Sequence, residues 1–170
     1  MRILTVSGSS SQVSTNTAFL KALPELFPKK EFIHFENLIQ LPLYTIAGDS
    51  NPLPDAVLAW RTAVAEADAV IFSTPEYIFN LPAVLKNALE WLSKSGELVG
   101  KPVLAITYLP NGPRGEKAMT SLTWSLKALD SKIVATLPLY QTSLVIKEGK
   151  ITGSETVLEI LLEGVGLLEV

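Results

Sequence analysis

Apolar residues along this chain follow two kinds of pattern, short continuous runs and longer stretches at helical spacing. The continuous runs predict five strands, at residues 3–6, 30–36, 69–73, 101–108 and 132–136. The helically spaced residues predict five helices, one that follows residue 14 and others at 55–66, 81–92, 116–129 and 154–163. Because strands and helices alternate, we expect a parallel sheet with right-handed crossovers.

Two stretches interrupt this alternation. Residues 37–54 are rich in Leu, Pro, Gly, Asp and Asn, and they predict a long surface excursion. Residues 137–151 predict either an extended tail of the sheet or a hairpin, with its turn at Glu148 and Gly149.

The first predicted strand ends in a loop of small hydroxyl residues at positions 7–16. The helix that follows is expected to be capped by Ser14 or Thr15. Free backbone N–H groups at the positive end of a helix, ringed by hydroxyl donors, suit a phosphate group. For this loop taken alone, an ordinary polar turn with a helix cap is the alternative interpretation.

Two further loops follow predicted strands. The loop at 74–80 carries the flat apolar surfaces of Tyr77 and Phe79, and Asn80 is predicted to cap the helix after it. The loop at 107–115 is rich in Gly, Pro and Asn, which lets backbone approach a planar ligand closely. Ligands of open parallel sheets sit outside the carboxyl ends of the strands. The three loops are therefore expected to form one site.

Composition narrows the classes of function. With 170 residues, the chain can bury a sizeable core, and one domain is expected over residues 1–170. A net charge of -3 without a basic cluster argues against a nucleic-acid partner. Cysteine is absent, which excludes disulfides and zinc–thiolate sites. The single histidine, His34, falls in a predicted strand, so neither a metal cluster nor a Ser-His-Asp triad is expected.

The first residues enter a strand without the basic and apolar regions of a signal peptide. No apolar run reaches the roughly 20 residues that a membrane-spanning helix needs. These patterns predict a cytoplasmic protein with no membrane partner.

Three motifs resemble the NADPH-dependent FMN reductase family, which includes quinone, azo-dye and chromate reductases. They are G-S-S-S-Q-V-S-T-N at 8–16, P-E-Y at 75–77 and N-L-P-A-V-L-K-N-A-L-E-W at 80–91. The resemblance implies an α/β, flavodoxin-like three-layer sandwich. Its five-stranded parallel sheet would have the order 2-1-3-4-5, with helices on both faces.

The resemblance also implies which residues bind FMN. The first loop would hold the phosphate, through Ser9, Ser14 and Asn16 with Ser11 and Thr15 beside them. The second loop would lie along the isoalloxazine ring, through Pro75, Glu76, Tyr77 and Ile78. The third loop would border the other side of the ring, through Asn111 and Gly112.

Two positions depart from the family pattern. Ser11 stands where the family usually has arginine, and Ile78 stands where it commonly has asparagine. Loss of a charge-assisted hydrogen bond costs roughly 1.5–3 kcal/mol, which would weaken FMN binding about tenfold to a hundredfold. The sequence therefore predicts a phosphate cradle that is neutral.

The function implied is ping-pong oxidoreduction, in which NADPH or NADH passes a hydride to N5 of FMN and a small-molecule electron acceptor is then reduced. The cofactor carries this chemistry, so no catalytic side chain is expected. Glu76 is expected to have a structural or hydrogen-bonding role. Arg114 is a candidate contact for a nicotinamide-cofactor phosphate, and Trp91 is equally compatible with the core, a subunit contact or the flavin.

Two other functions remain open on the sequence. The chain could be a non-enzymatic electron carrier like flavodoxin, although those proteins are typically much more acidic. It could also be a flavin-binding regulator in which Ser11 and Ile78 abolish turnover. By analogy with the family, a homodimer or homotetramer is expected, with residues 41–44 and 81–92 as candidate contacts.

Overall fold

A computed structural model describes residues 1–36, 38–49 and 52–169. Its central feature is a parallel sheet of order β2-β1-β3-β4-β5, which confirms the predicted strand order. The strands are β1 (Arg2–Ser7), β2 (Glu31–Phe35), β3 (Ala69–Thr74), β4 (Pro102–Leu109) and β5 (Lys132–Tyr140). All six residues of β3 are buried, as expected for a central strand covered on both faces.

Helices cover both faces of the sheet. Side chains of a strand alternate between its faces, so Val70 and Phe72 join one core while Ala69 and Ile71 join the other. The first core is closed by α2 (Asp55–Glu66), α3 (Ala83–Glu90) and α4 (Glu116–Ala128). The second core is closed by α1 (Thr15–Leu26) and α5 (Glu155–Gly166). This arrangement confirms the predicted three-layer sandwich.

The segment after residue 136 contains both predicted possibilities. Strand β5 continues to Tyr140, beyond the predicted end, because Leu137 and Leu139 are buried in the second core. A separate antiparallel hairpin follows, formed by β6 (Leu144–Lys147) and β7 (Lys150–Gly153). Its turn lies at Glu148 and Gly149, as predicted, and both residues have positive φ.

The predicted start of α3 is wrong. The helix begins at Ala83, and the residue in the capping position is Pro82, which has no side-chain hydrogen bond to offer. Asn80 instead accepts a hydrogen bond from the neighbouring Leu81 N–H at 2.8 Å. This asparagine is held in a tight turn with Tyr77, and that turn ends before the helix can start.

The predicted excursion at 37–54 packs only in part against the core. Leu38 and Leu41 are buried, and the backbone carbonyl of Pro42 accepts a hydrogen bond from the Trp91 indole at 2.7 Å. Trp91 is 1% exposed, so it is a core residue. Asn37, Ser50 and Asn51, which belong to the predicted excursion, lie outside the described residues. In the part of the chain that the structure describes, every helix is too short or too polar to cross a bilayer.

Candidate functional site

The carboxyl edge of the sheet carries a pocket of about 410 Å³, a volume typical of small-molecule and cofactor sites. The pocket lies where strand order reverses, because both β2 and β3 pair with β1. Loops that follow β1, β3 and β4 meet there, as the sequence predicts. Its lining residues are Ser9, Ser11, Val13, Ser14, Thr15, Asn16, Pro75, Glu76, Tyr77, Tyr108, Leu109, Pro110, Arg114 and Gln141.

Gly8 lets the first loop approach the end of β3. Its N–H donates to the Ser73 carbonyl at 2.8 Å. A Cβ at this position would lie 2.7 Å from the Thr74 hydroxyl and 2.8 Å from a methyl group of Leu85. Glycine is therefore favoured here, because a Cβ would force the Thr74 and Leu85 side chains to shift.

Hydroxyl groups of the first loop accept hydrogen bonds from the protein itself. Ser14 is the N-cap of α1, as predicted, and its Oγ accepts from the Thr17 N–H at 3.2 Å. Ser9 Oγ accepts from the Ser11 N–H at 3.3 Å, and Thr15 Oγ1 accepts from the Gln141 amide at 3.0 Å. A hydroxyl that accepts in this way keeps its own proton to donate. The pocket wall thus presents donors to an acceptor-rich ligand.

Asn16 forms the floor of the pocket beneath these hydroxyls. Its side chain is 2% exposed and bridges two strands. The amide nitrogen donates to the Tyr108 carbonyl at 3.0 Å, and the amide oxygen accepts from the Ser73 hydroxyl at 2.7 Å. The side-chain amide is therefore a positioning group, which fixes the start of α1 over the ends of β3 and β4.

Glu76 connects the second loop to α4. Its carboxylate accepts a hydrogen bond from the Ala118 N–H at 3.1 Å. The N-cap position of α4 is Gly115, which has φ of +92° and no side chain to cap the helix. Glu76 supplies that cap from a different loop, and a carboxylate at a helix N-terminus is favourable electrostatically. Its expected structural role is confirmed.

Tyr108 lines the pocket, but its hydroxyl points into the protein. The O–H donates to the Leu144 carbonyl at 2.8 Å, and burial raises the pKa of Tyr108 to about 12. A phenol with such a pKa stays protonated at neutral pH. Tyr108 therefore anchors the hairpin to β4.

Eight of the predicted site residues line the pocket: Ser9, Ser11, Ser14, Thr15, Asn16, Pro75, Glu76 and Tyr77. Three do not. Ile78 is 96% exposed at the tip of its turn, Asn111 is exposed, and Gly112 packs against the ring of Tyr140. A Cβ on Gly112 would lie 2.9 Å from that ring.

Sequence patterns gave no signal for Gln141, the one lining residue that lies outside the three predicted loops. Gln141 lies just after β5, so only the tertiary fold brings it to Thr15. Val13 and Pro110 belong to the predicted first and third loops, and Leu109 is the last residue of β4. Arg114, considered only for the nicotinamide cofactor, lines this same pocket and brings a positive charge that the first loop lacks.

Among residues 1–36, 38–49 and 52–169, no group of three or more His, Cys, Asp or Glu side chains is placed to hold a metal ion. His34 lies in β2, where its Nδ1 is 3.0 Å from the Thr5 hydroxyl. Burial, aided by the nearby Lys21 charge, lowers the pKa of His34. This histidine is outside the pocket formed by the three loops.

Known proteins share both the sequence and the fold. A model of the NADPH-dependent FMN reductase family matches residues 1–139. A quinone reductase of Escherichia coli K12 is 30% identical over 138 residues, which cover 79% of this chain and 73% of that protein. An NAD(P)H-dependent FMN reductase of Pseudomonas aeruginosa is 36% identical over 104 residues, which cover 60% of this chain and 56% of that protein.

The chain thus spans little more than half the length of that Pseudomonas relative. Among solved structures, the flavoenzyme NAD(P)H:acceptor oxidoreductase FerB of Paracoccus denitrificans superimposes with a TM-score of 0.78 at 22% identity. That match covers 99% of this chain and 95% of FerB, and it supports the flavodoxin-like fold. From the family match and the Escherichia coli relative, the chain belongs to the NADPH-dependent FMN reductase family.

Proposed function

We propose that this protein is an FMN-dependent NAD(P)H oxidoreductase that reduces quinones, azo compounds or other small oxidants by a ping-pong mechanism. The observation that carries the proposal is the set of three hydroxyls in the first loop, on Ser9, Ser14 and Thr15. Each accepts a hydrogen bond from the protein and retains a proton to donate into the pocket. A phosphate, which offers only acceptor oxygens at neutral pH, complements that arrangement.

The residues present fit FMN. The N-terminus of α1 and the loop hydroxyls suit its phosphate, and the cationic residue Arg114 lines the same pocket. The nearby carboxylate of Glu76 is held by the Ala118 N–H, which offsets its negative charge. Pro75 and Tyr77 offer flat surfaces for the ring, and Tyr77 is 49% exposed.

Bound FMN would supply the redox chemistry, in which a hydride from NAD(P)H reaches N5 and a quinone then receives two electrons. Of the two protons that the quinone takes up, one comes from the reduced flavin and one from water. The protein's part is to bind and orient. Asn16 fixes the phosphate loop over the strand ends, and Glu76 fixes the second loop against α4. No acidic or basic side chain is required at the reacting atoms.

An anaerobic flavin experiment tests this proposal. The purified protein is titrated with FMN and separated from free flavin, and bleaching of the bound flavin is followed after addition of NADPH or NADH. We expect stoichiometric FMN and rapid bleaching, with colour restored by a quinone. Absence of bound flavin at micromolar FMN would overturn the proposal. Bound flavin that both nucleotides leave oxidised would support a carrier or regulator instead.

We also propose a homodimer or homotetramer that acts in the cytoplasm. The apolar face of α3 is used within the chain's own core, where Leu85, Ala88 and Leu89 are buried. Leu43, at 78% exposed, is the remaining apolar candidate of the 41–44 segment. Light scattering during gel filtration tests the assembly, and the variant Leu43→Ser tests this contact.

A further inference from the structure

The second loop ends in a tight turn with unusual residues at its tip. Tyr77 and Asn80 exchange two backbone hydrogen bonds, each of 3.0 Å. Between them, Ile78 has φ of 50° and Phe79 has φ of 55°. A two-residue connection with both central residues at positive φ is a type I′ turn, for which Asn-Gly is the preferred sequence.

Ile78 and Phe79 are poorly suited to this backbone. Positive φ in a β-branched residue such as isoleucine is a genuine outlier, since the branched side chain crowds the backbone. Their side chains gain no burial in return, because Ile78 is 96% exposed and Phe79 is 78% exposed. Strained residues of this kind cluster at ligand-binding and active sites, where the strain accompanies function.

The turn stands at the mouth of the flavin pocket. Its first residue, Tyr77, lines the pocket, and Ile78 and Phe79 follow directly. On the loop after β1, Val13 also lines the pocket and is 90% exposed. The pocket therefore has a polar interior of hydroxyls and an apolar rim contributed by two different loops.

The size of this apolar tip fits a small ligand better than a subunit. Ile78 and Phe79 together expose on the order of 300–400 Å², given roughly 150–250 Å² for one aromatic side chain. A stable protein interface needs about 800 Å² from each partner. The ring or alkyl group of a small organic molecule would cover the tip without needing further contact area.

We propose that Ile78 and Phe79 are specificity-determining residues, which favour electron acceptors that carry an apolar ring or alkyl group. This inference rests on the proposed function, because the acceptor must approach the flavin through this mouth. The occupant is thus a flat, apolar oxidant such as a naphthoquinone. A small, highly charged oxidant such as ferricyanide would gain nothing from the tip.

The test compares two acceptors in one double variant. Ile78→Gly with Phe79→Gly installs a pair that a type I′ turn accepts, so the backbone is retained without the asparagine that the family commonly has at position 78. We expect kcat/KM for 1,4-naphthoquinone to fall about tenfold, as for the loss of part of a buried apolar contact. The kcat/KM for ferricyanide and the KM for NAD(P)H are expected to change little.

Two control variants keep the result interpretable. Val99 lies just before β4, at the opposite edge of the sheet, and its apolar side chain is 62% exposed. The variant Val99→Asn should leave kcat/KM for both acceptors unchanged. Ile78→Leu with Phe79→Leu keeps an apolar tip and should retain most activity toward the naphthoquinone.

Several results would overturn the inference. They are equal losses of kcat/KM with both acceptors, unchanged selectivity in the Gly-Gly variant, or conversion of an oligomer to a smaller species in that variant. The last result would assign the tip to a subunit contact. FMN binding and bleaching by NAD(P)H are measured first in the unaltered protein. Their absence would overturn the proposed function itself, whereas normal flavin reduction with unchanged selectivity would overturn only the role of the tip.

Discussion

Ser11 and Arg114 line the same pocket from loops that follow different strands, Ser11 after β1 and Arg114 after β4. Ser11 occupies the position where the family usually has arginine. The first loop by itself is therefore neutral, as the sequence predicts. The fold nevertheless brings Arg114 to the pocket from a distant part of the chain, and this cationic residue is an alternative partner for an anionic ligand.

We expect Arg114→Gln to weaken FMN binding about tenfold, because one charge-assisted hydrogen bond is lost. The salt dependence of the dissociation constant should also decrease. Fluorescence titration of FMN at low and high salt measures both effects. Lys147→Gln, which removes a positive charge from the exposed end of β6, is the control. Ser11→Arg added to Arg114→Gln should restore affinity, and no loss in Arg114→Gln would contradict the assignment.

Removal of the Glu76 carboxylate should destabilise the protein. Glu76→Ala leaves the Ala118 N–H without its cap, which is expected to lower the free energy of unfolding by about 1 kcal/mol. Glu76→Gln keeps a carbonyl oxygen that can accept the same bond, so its effect should be smaller. Urea denaturation followed by circular dichroism provides the comparison. Equal losses in the two variants would argue against the capping role.

Asn16 is expected to matter for stability even without a ligand. Asn16→Ala leaves the buried Tyr108 carbonyl and Ser73 hydroxyl without their partner, at a cost of about 1–3 kcal/mol in unfolding free energy. Asn111→Ala alters an exposed asparagine of the third loop and should be close to neutral. Denaturation of the flavin-free protein separates this effect from cofactor binding. A neutral Asn16→Ala would show that its amide does not hold the strand ends together.

Lys101 ties the end of α2 to the start of β4. Its ammonium donates to the carbonyls of Val64 and Ala65, at 2.8 and 3.2 Å, and also to that of Ala67. Lys101→Met should lower the free energy of unfolding by roughly 1–3 kcal/mol, since these carbonyls lose a charged donor. The matched control, Lys86→Met, breaks only an exposed pair with Glu90 and should have little effect. Urea denaturation of both variants gives the comparison, and equal stability of the two would contradict this role.

His34 should make stability depend on pH. Its pKa is lowered in the folded state by burial and by Lys21, so the unfolded chain binds the proton more readily. Stability should therefore be full above the ordinary histidine pKa of about 6.5 and should decrease as pH falls from there toward the lower folded pKa. Glu36, whose own pKa is lowered by its hydrogen bond with Lys21, stays ionised over this range.

Denaturation of the native protein and of His34→Gln at several pH values between about 5.5 and 7.5 tests this expectation. The native protein should lose stability at the acid end, and the variant should lose less. A parallel decrease in both proteins would place the pH dependence on other groups.

Local patterns in the sequence were sufficient for the parallel sheet with its alternating helices and for the main loops of the site. The continuous burial of β3 and the Ser14 cap of α1 follow from residues that are neighbours in the chain. Such features depend on backbone propensity and on hydrophobic periodicity, both of which can be read within a short window. The three-layer sandwich and the strand order did not follow from these local patterns and were implied by the resemblance of whole motifs to a family.

What only the tertiary structure decided was the set of partners for these residues. Nothing in the motifs at 8–16 and 75–77 indicates that Glu76 caps α4, or that Gln141 bonds Thr15. These contacts join residues far apart in sequence, because sheet order and crossover length determine which loops meet. Asn80 departs from its predicted capping position for a local reason, because its backbone pairs with Tyr77 in a tight turn that leaves Ile78 and Phe79 exposed.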